Sequence, residues 1–249
     1  MPTIGFLDHP ERFRRFDPAG VGASIALLPP PLGQVQRETA SFRLPASYRR
    51  VDALVVHGMG GSSLGSDLLR SVYAGVLPVP WTILRRYGLP AFVGPRTLFI
   101  ASSYSGTTEE TVGSVAAARR RRAKVVVLSG GGALITLARR YRLPHVRFTP
   151  TFNPSGAPRI GLGYSIGGHL AVLKAAGLLP ARAAGEWTAA AQAVGTRFDV
   201  RRPSATNPAK QLASVCVGKL PVIVAAEFLA GNAHAAANQF NETAKTFAP

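Results

Sequence analysis

Ala101-Ser102-Ser103-Tyr104-Ser105-Gly106-Thr107-Thr108-Glu109-Glu110-Thr111 is the stretch on which the reading of this chain turns. An apolar run, Thr97-Leu98-Phe99-Ile100-Ala101, leads into it, and a helical pattern from Glu109 to Arg122 leads out. A strand that ends in hydroxyls and glycine and then becomes a helix is suited to hold an anion. The first N–H groups of a helix have no internal partners, and the macrodipole adds partial positive charge there. Ser103, Ser105 and Thr108 offer neutral donors around the same point, and phosphate is the natural occupant. The plain alternative is capping, in which one hydroxyl satisfies the helix start for about 1 kcal/mol. The stretch holds more hydroxyls than one cap needs. Glu109 and Glu110 suit the dipole but would crowd an anion, so they are expected to point away from it.

Working outward, the same pattern recurs. Val51 to His57 is a short β-branched apolar run of the kind found in buried parallel strands. It enters Gly58-Met59-Gly60-Gly61-Ser62-Ser63-Leu64-Gly65, and a helix is expected from Ser66 to Tyr73. The spacing is neither the dinucleotide fingerprint nor the nucleotide P-loop. Thr82 to Arg86 reads as a strand-like piece. Lys124 to Leu128 is another strand, ending in Ser129-Gly130-Gly131-Gly132 before a helix from Ala133 to Tyr141, and His145 to Phe148 is a last short strand. Strands alternating with helices through short connections predict an α/β fold, a doubly wound parallel sheet. Ligands of such sheets bind at the carboxyl ends of the strands, where this sequence places its Gly/Ser turns.

Residues 1–47 read as an N-terminal arm. Asp17 to Leu28 is weakly helical, Pro29-Pro30-Pro31 is expected to break it, and Gln34 to Phe42 reads as a second short helix. After a Pro/Gly-rich segment, helices are expected over Ile166–Ala176, Ala183–Phe198 and Pro208–Val217. Leu220 to Ala225 then reads as a further buried strand, followed by a helix from Asn232 or Ala233 into Lys245. One strand cannot make a sheet, so this unit either adds to the first sheet or is cut short.

Composition narrows the function classes. Of 249 residues, 47% are hydrophobic, enough for a substantial core. No apolar run reaches the length of a membrane span, and the N-terminus lacks a signal layout; a cytoplasmic protein without membrane association is expected. The single cysteine, Cys216, rules out an internal disulfide and is read as a buried structural thiol. Net charge is +17. That invites a nucleic-acid reading, but the basic residues are scattered, and the one dense run, Arg119 to Arg122, ends a helix where cations favour the dipole. No helix-turn-helix, zinc finger or aromatic–basic interleaving is visible, so no nucleic-acid partner is expected. The positive field still attracts anionic substrates.

Taken in order, Gly58-Met59-Gly60-Gly61-Ser62, the 103–111 stretch, Pro158-Arg159 ahead of Gly163-Tyr164-Ser165, Asn207-Pro208-Ala209-Lys210-Gln211 and Gln239-Phe240-Asn241-Glu242-Thr243-Ala244-Lys245 form a set. The set resembles the bifunctional phosphoglucose/phosphomannose isomerase family, built from two sugar-isomerase (SIS) domains of flavodoxin-like three-layer form. The resemblance runs from about residue 17 to the end. It implies interconversion of glucose 6-phosphate or mannose 6-phosphate with fructose 6-phosphate through an enediol(ate), as in glycolysis and gluconeogenesis, by a protein that is a homodimer in its full-length form. By that resemblance Ser103, Ser105 and Thr108 hold the phosphate. Gly60, Gly61 and Ser62 line the same site, Arg159 stabilises charge in the intermediate, and Glu242 moves the proton between C1 and C2. No metal and no cofactor is implied.

These roles agree with the chemistry each asks for. A C–H beside a carbonyl is a weak acid, so its base must be held within hydrogen-bond reach. An enediolate carries negative charge on oxygen that a fixed guanidinium offsets. Binding the unreactive phosphate supplies orientation. As alternatives, Glu242 is a surface residue paired with Lys245, and Arg159 an ordinary loop arginine.

The sequence also departs from the family. Thr107 replaces an asparagine, and Ala235-Ala236-Ala237 replace basic and aromatic residues. The family's ring-opening histidine, which acts across the dimer interface, and a lysine near the C-terminus have no counterpart; His169 and His234 do not match the motif. The expectation is a truncated product, with a first SIS domain over residues 48–180 and linker helices plus the start of a second over 181–249. The competing functions are a sugar-phosphate-binding SIS module without chemistry and a basic DNA-associated regulator, for which no DNA-reading element is visible.

Overall fold

A computed structural model describes residues 4–249. Five strands, β1 (Ala53–His57), β2 (Trp81–Leu84), β3 (Thr97–Ser103), β4 (Lys124–Ser129) and β5 (His145–Arg147), form one sheet in the order β2-β1-β3-β4-β5. Every neighbouring pair is parallel. The α-helices are α1 (Ile4–Leu7), α2 (Val21–Ala26), α3 (Pro29–Glu38), α4 (Gly61–Tyr73), α5 (Glu109–Arg120), α6 (Gly132–Arg140), α7 (Leu162–Ala175), α8 (Ala183–Arg197), α9 (Pro208–Cys216) and α10 (Ala230–Glu242).

Alternation along the strands builds two cores. Leu54, Val56, Leu98, Ile100, Val126 and Leu128 face α3, α4 and α7 on one side. Val55, Phe99, Ala101, Val125 and Val127 face α5 and α6 on the other. Residues buried on both faces explain why the strands read as continuous apolar runs. The doubly wound three-layer architecture is the one the sequence predicts. In this strand order the chain reverses its direction of winding between β1 and β3. The turns after those two strands, Gly58–Gly60 and Tyr104–Thr108, are therefore neighbours at the crevice.

Several local expectations are corrected. Helix α2 stops at Ala26, ahead of Pro29-Pro30-Pro31, but the next helix, α3, starts at Pro29 rather than Gln34, because the first turn needs no N–H from proline. Helix α4 begins at Gly61 rather than Ser66, so the glycine–serine motif is itself the first turn. Gly163-Tyr164-Ser165 likewise lie inside α7. Leu220 to Ala225 forms no strand and does not join the sheet. Its backbone makes no hydrogen bonds among the described residues, and Leu220, Val222 and Val224 are 60%, 66% and 87% exposed. Cys216 is half-buried rather than buried, because α9 leaves Leu212 and Val215 exposed.

Candidate functional site

The site is built where β1 and β3 end. Ser62, in the first turn of α4, ties the two turns together: its Oγ accepts from Tyr104 N–H (2.9 Å) and its carbonyl accepts from Ser102 Oγ (3.1 Å). Gly61 is packed against the loop before α7. A Cβ there would lie 2.5 Å from the amide nitrogen of Arg159, so only glycine permits this approach. His57, at the end of β1, donates from Nε2 to Arg86 O (3.0 Å) and accepts at Nδ1 from Thr111 Oγ1 (3.3 Å), which ties α5 to the turn after β2. Burial pushes its pKa below that of a free histidine.

The hydroxyls of the central stretch do not cap α5. Thr108 stands at the N-cap position, but its side chain makes no cap bond. Its Oγ1 pairs with Ser103 Oγ (2.9 Å), which also accepts from Gly106 N–H (3.1 Å). Ser105 Oγ pairs with Thr107 Oγ1 (3.0 Å) at the exposed rim. The amides of Glu109, Glu110 and Thr111 have no partner among the described residues. The result is a turn of polarised amides and hydroxyls facing out of the crevice, with Ser103 buried, Thr108 half-buried and Ser105 exposed. The hollow beneath Ser62 and Ser103 holds only about 10 Å³, room for about one water.

Arg159 and Glu242, 83 residues apart in sequence, meet at this corner. Arg159 Nη1 lies 3.2 Å from Glu242 Oε2, and its Nε donates to Thr243 Oγ1 (2.9 Å). Its side chain is 19% exposed against 43% for Glu242. Asn238 donates to the other carboxylate oxygen (2.7 Å), and Gln239 donates to the Arg159 carbonyl (3.0 Å). The surface pairing of Glu242 with Lys245 is absent among the described residues; Arg159 takes its place. A largely apolar cleft of about 430 Å³, walled by Ile25, Leu28, Leu162 and Phe240, opens beside this pair.

Thus Gly61, Ser62 and Ser103 line one small hollow where β1 and β3 end, Gly60, Ser105 and Thr108 lie in the adjoining turns, and Arg159, whose backbone packs on Gly61, brings Glu242 to the same corner. Sequence reasoning overlooked Tyr104, whose amide bonds Ser62 and whose hydroxyl accepts from Asn153 Nδ2 (2.7 Å). It also gave no role to Asn238, Gln239 and Thr243; Asn238 stands four residues before Glu242 on α10, within its reach, whereas Gln239 and Thr243 bond Arg159. Among the described residues no group of three His, Cys, Asp or Glu side chains is placed to hold a metal, and no helix is long and apolar enough to cross a membrane.

Comparison with known proteins bears on the family and the fold. Residues 205–249 match the family model described as bacterial phospho-glucose isomerase C-terminal SIS domain. A bifunctional phosphoglucose/phosphomannose isomerase of Caldicellulosiruptor bescii is 35% identical over 176 residues, covering 70% of this chain and 50% of that protein. One from Thermoplasma volcanium is 38% identical over 65 residues, 26% of this chain and 20% of its own length. A hypothetical protein of Thermus thermophilus superposes with a TM-score of 0.68 at 21% identity, covering 96% of this chain and 59% of that one. The C-terminal domain of glucosamine-fructose-6-phosphate aminotransferase from Francisella tularensis gives 0.60 at 13% identity, over 90% and 67% of the two chains. These two likenesses concern the fold. The chain spans about half the length of the Caldicellulosiruptor bescii protein, and its sequence is similar to the bifunctional phosphoglucose/phosphomannose isomerase family.

Proposed function

We propose that the chain binds a hexose 6-phosphate at the β1/β3 crevice and takes part in its aldose–ketose isomerisation. One observation carries this reading: Arg159, whose backbone packs on Gly61 in the turn after β1, pairs with Glu242 at 3.2 Å. Ser103, Ser105, Thr108 and the free amides of α5 would receive the phosphate, with Gly60, Gly61 and Ser62 forming the opposite wall. A phosphate fixed there leaves the carbonyl end of the sugar to lie toward the Arg159 corner. Glu242 would take a proton from the carbon beside the carbonyl and return it to the neighbouring carbon. Arg159 would offset the charge that develops on the enediolate oxygens. In domain terms, residues 48–180 form the first SIS unit, and 181–249 linker helices and the start of a second.

A binding module without turnover is the second reading, and it draws on the occupancy of both Glu242 oxygens, one by Arg159 and the other by Asn238. A melting scan with glucose 6-phosphate, mannose 6-phosphate and fructose 6-phosphate, run beside a coupled isomerase assay, separates the two. Ligand at a hundredfold excess over its Kd is expected to raise the melting temperature by roughly 5–10 °C, and glucose without its phosphate is expected to do nothing. No rise with any of the three sugar phosphates removes the phosphate seat. A rise without turnover selects the binding module.

A further inference from the structure

Two turns into α4, a carboxylate that the site description does not use is buried where three elements meet. The Asp67 side chain is only 5% exposed. Its Oδ2 accepts from Arg85, which follows β2, and from His234 Nδ1–H on α10 (2.9 Å); Arg70 on its own helix lies 3.9 Å from Oδ1. His169, on α7, is the remaining titratable group near it. Burial pushes the Asp67 carboxyl up, and the bonds from His234 and Arg85 outweigh it, so its pKa lies below the usual carboxylate range.

The same point is where α10 crosses α4 most closely. A Cβ on Gly231 would stand 2.4 Å from Asp67 O, and the Gly231 amide donates to Ser71 Oγ (2.9 Å). Arg85 reaches the other way as well. Its Nε donates to Ser63 Oγ (2.9 Å), which in turn donates to Gly60 O (3.0 Å) in the glycine–serine turn. Helix α10 is thus held at two places, by Asp67 and Ser71 near its start and by Arg159 at its end, and Glu242 sits at the second.

We propose that Asp67 is a positioning residue for Glu242: through His234 it seats α10 on α4, and through Arg85 and Ser63 it joins that seat to the turn at Gly60. This rests on the reading of Glu242 as the proton carrier. Asp67 touches neither substrate nor reacting atoms. Its work is to keep the carboxylate end of α10 within reach of Arg159.

The test is His234→Ala in the full chain, read by amide hydrogen exchange and by steady-state kinetics. Because His234 is half-exposed, the variant is expected to fold. Losing a bond to a buried charge is expected to speed exchange about tenfold. The decisive amides are those of residues 239–244, at the far end of α10, which His234 does not touch. In the same variant kcat is expected to fall about tenfold with KM for the sugar phosphate unchanged, and His234→Lys, which restores a hydrogen-bond donor to Asp67, is expected to recover most of both. Exchange that is unaltered at residues 239–244, or altered only in the first turn, overturns the proposal, as does faster exchange there with unchanged kcat. The exchange readout needs no ligand, so its failure is distinguishable from failure of the isomerase reading, which the melting scan and coupled assay judge separately.

Discussion

Replacing Glu242 with glutamine is expected to lower turnover of a hexose 6-phosphate by roughly 10²–10⁴-fold, the usual contribution of a positioned acid–base group, while binding of the sugar phosphate survives. Glutamine keeps the length and planarity of the side chain. Its amide oxygen can still accept from Arg159, and α10 keeps its contacts through Gln239 and Thr243. What is lost is a group able to hold a proton between two carbons. Binding is expected to survive because, on the proposed reading, the hydroxyls and amides between Ser103 and Thr111, not Glu242, receive the phosphate. The measurement is kcat and KM for wild type and variant in a coupled assay, with ligand-induced melting shifts as the binding control. Equal kcat in the variant removes Glu242 from the assigned role.

The second large effect is on stability against pH and comes from His169. Its side chain is fully buried on α7, with Nδ1–H donated to Ser165 O (2.7 Å) and Nε2 left without a partner among the described residues. Burial, the main cause, holds its pKa down to about 4. Above pH 6.5 the ring is neutral in both folded and unfolded chains, so it adds no pH dependence. Between 6.5 and 4 the unfolded chain takes up a proton that the folded chain refuses, and stability falls as pH falls. The full loss is about 3 kcal/mol, of which roughly 2 is expected by pH 5. For a chain of this size that lowers the melting temperature by about 4–8 °C between pH 7.5 and pH 5. His57 is shifted the same way and adds to the slope. His169→Leu removes the larger share, so its melting temperature is expected to vary much less over the same interval. Superimposable pH profiles for wild type and His169→Leu would remove His169 as the cause.

The parallel sheet was legible because burial on both faces leaves continuous apolar runs such as Leu54-Val55-Val56 and Val125-Val126-Val127. Helix starts were harder to read. Gly61, Ser62 and Ser63 look like loop residues, yet they are helical, since Gly61 is selected by the approach of Arg159 and Ser62 by the Tyr104 amide, neither of which is a local property. The convergence of Arg159 on Glu242 followed from the family pattern, not from spacing. Asp67 gave no signal at all. In Ser66-Asp67-Leu68 it reads as an ordinary helix-surface acid, and its partners His234 and Arg85 stand 167 and 18 residues away.

The irregular backbone around Leu220-Pro221-Val222-Ile223-Val224-Ala225 has a practical consequence. A charge-free, β-branched ribbon with open amides can template pairing with another such ribbon, and Pro221 denies it only one donor. A net charge of +17 keeps separate molecules apart, but at physiological salt that repulsion fades within about 8 Å. Added electrolyte should therefore promote clumping rather than solubility, which static light scattering across a salt series reads directly.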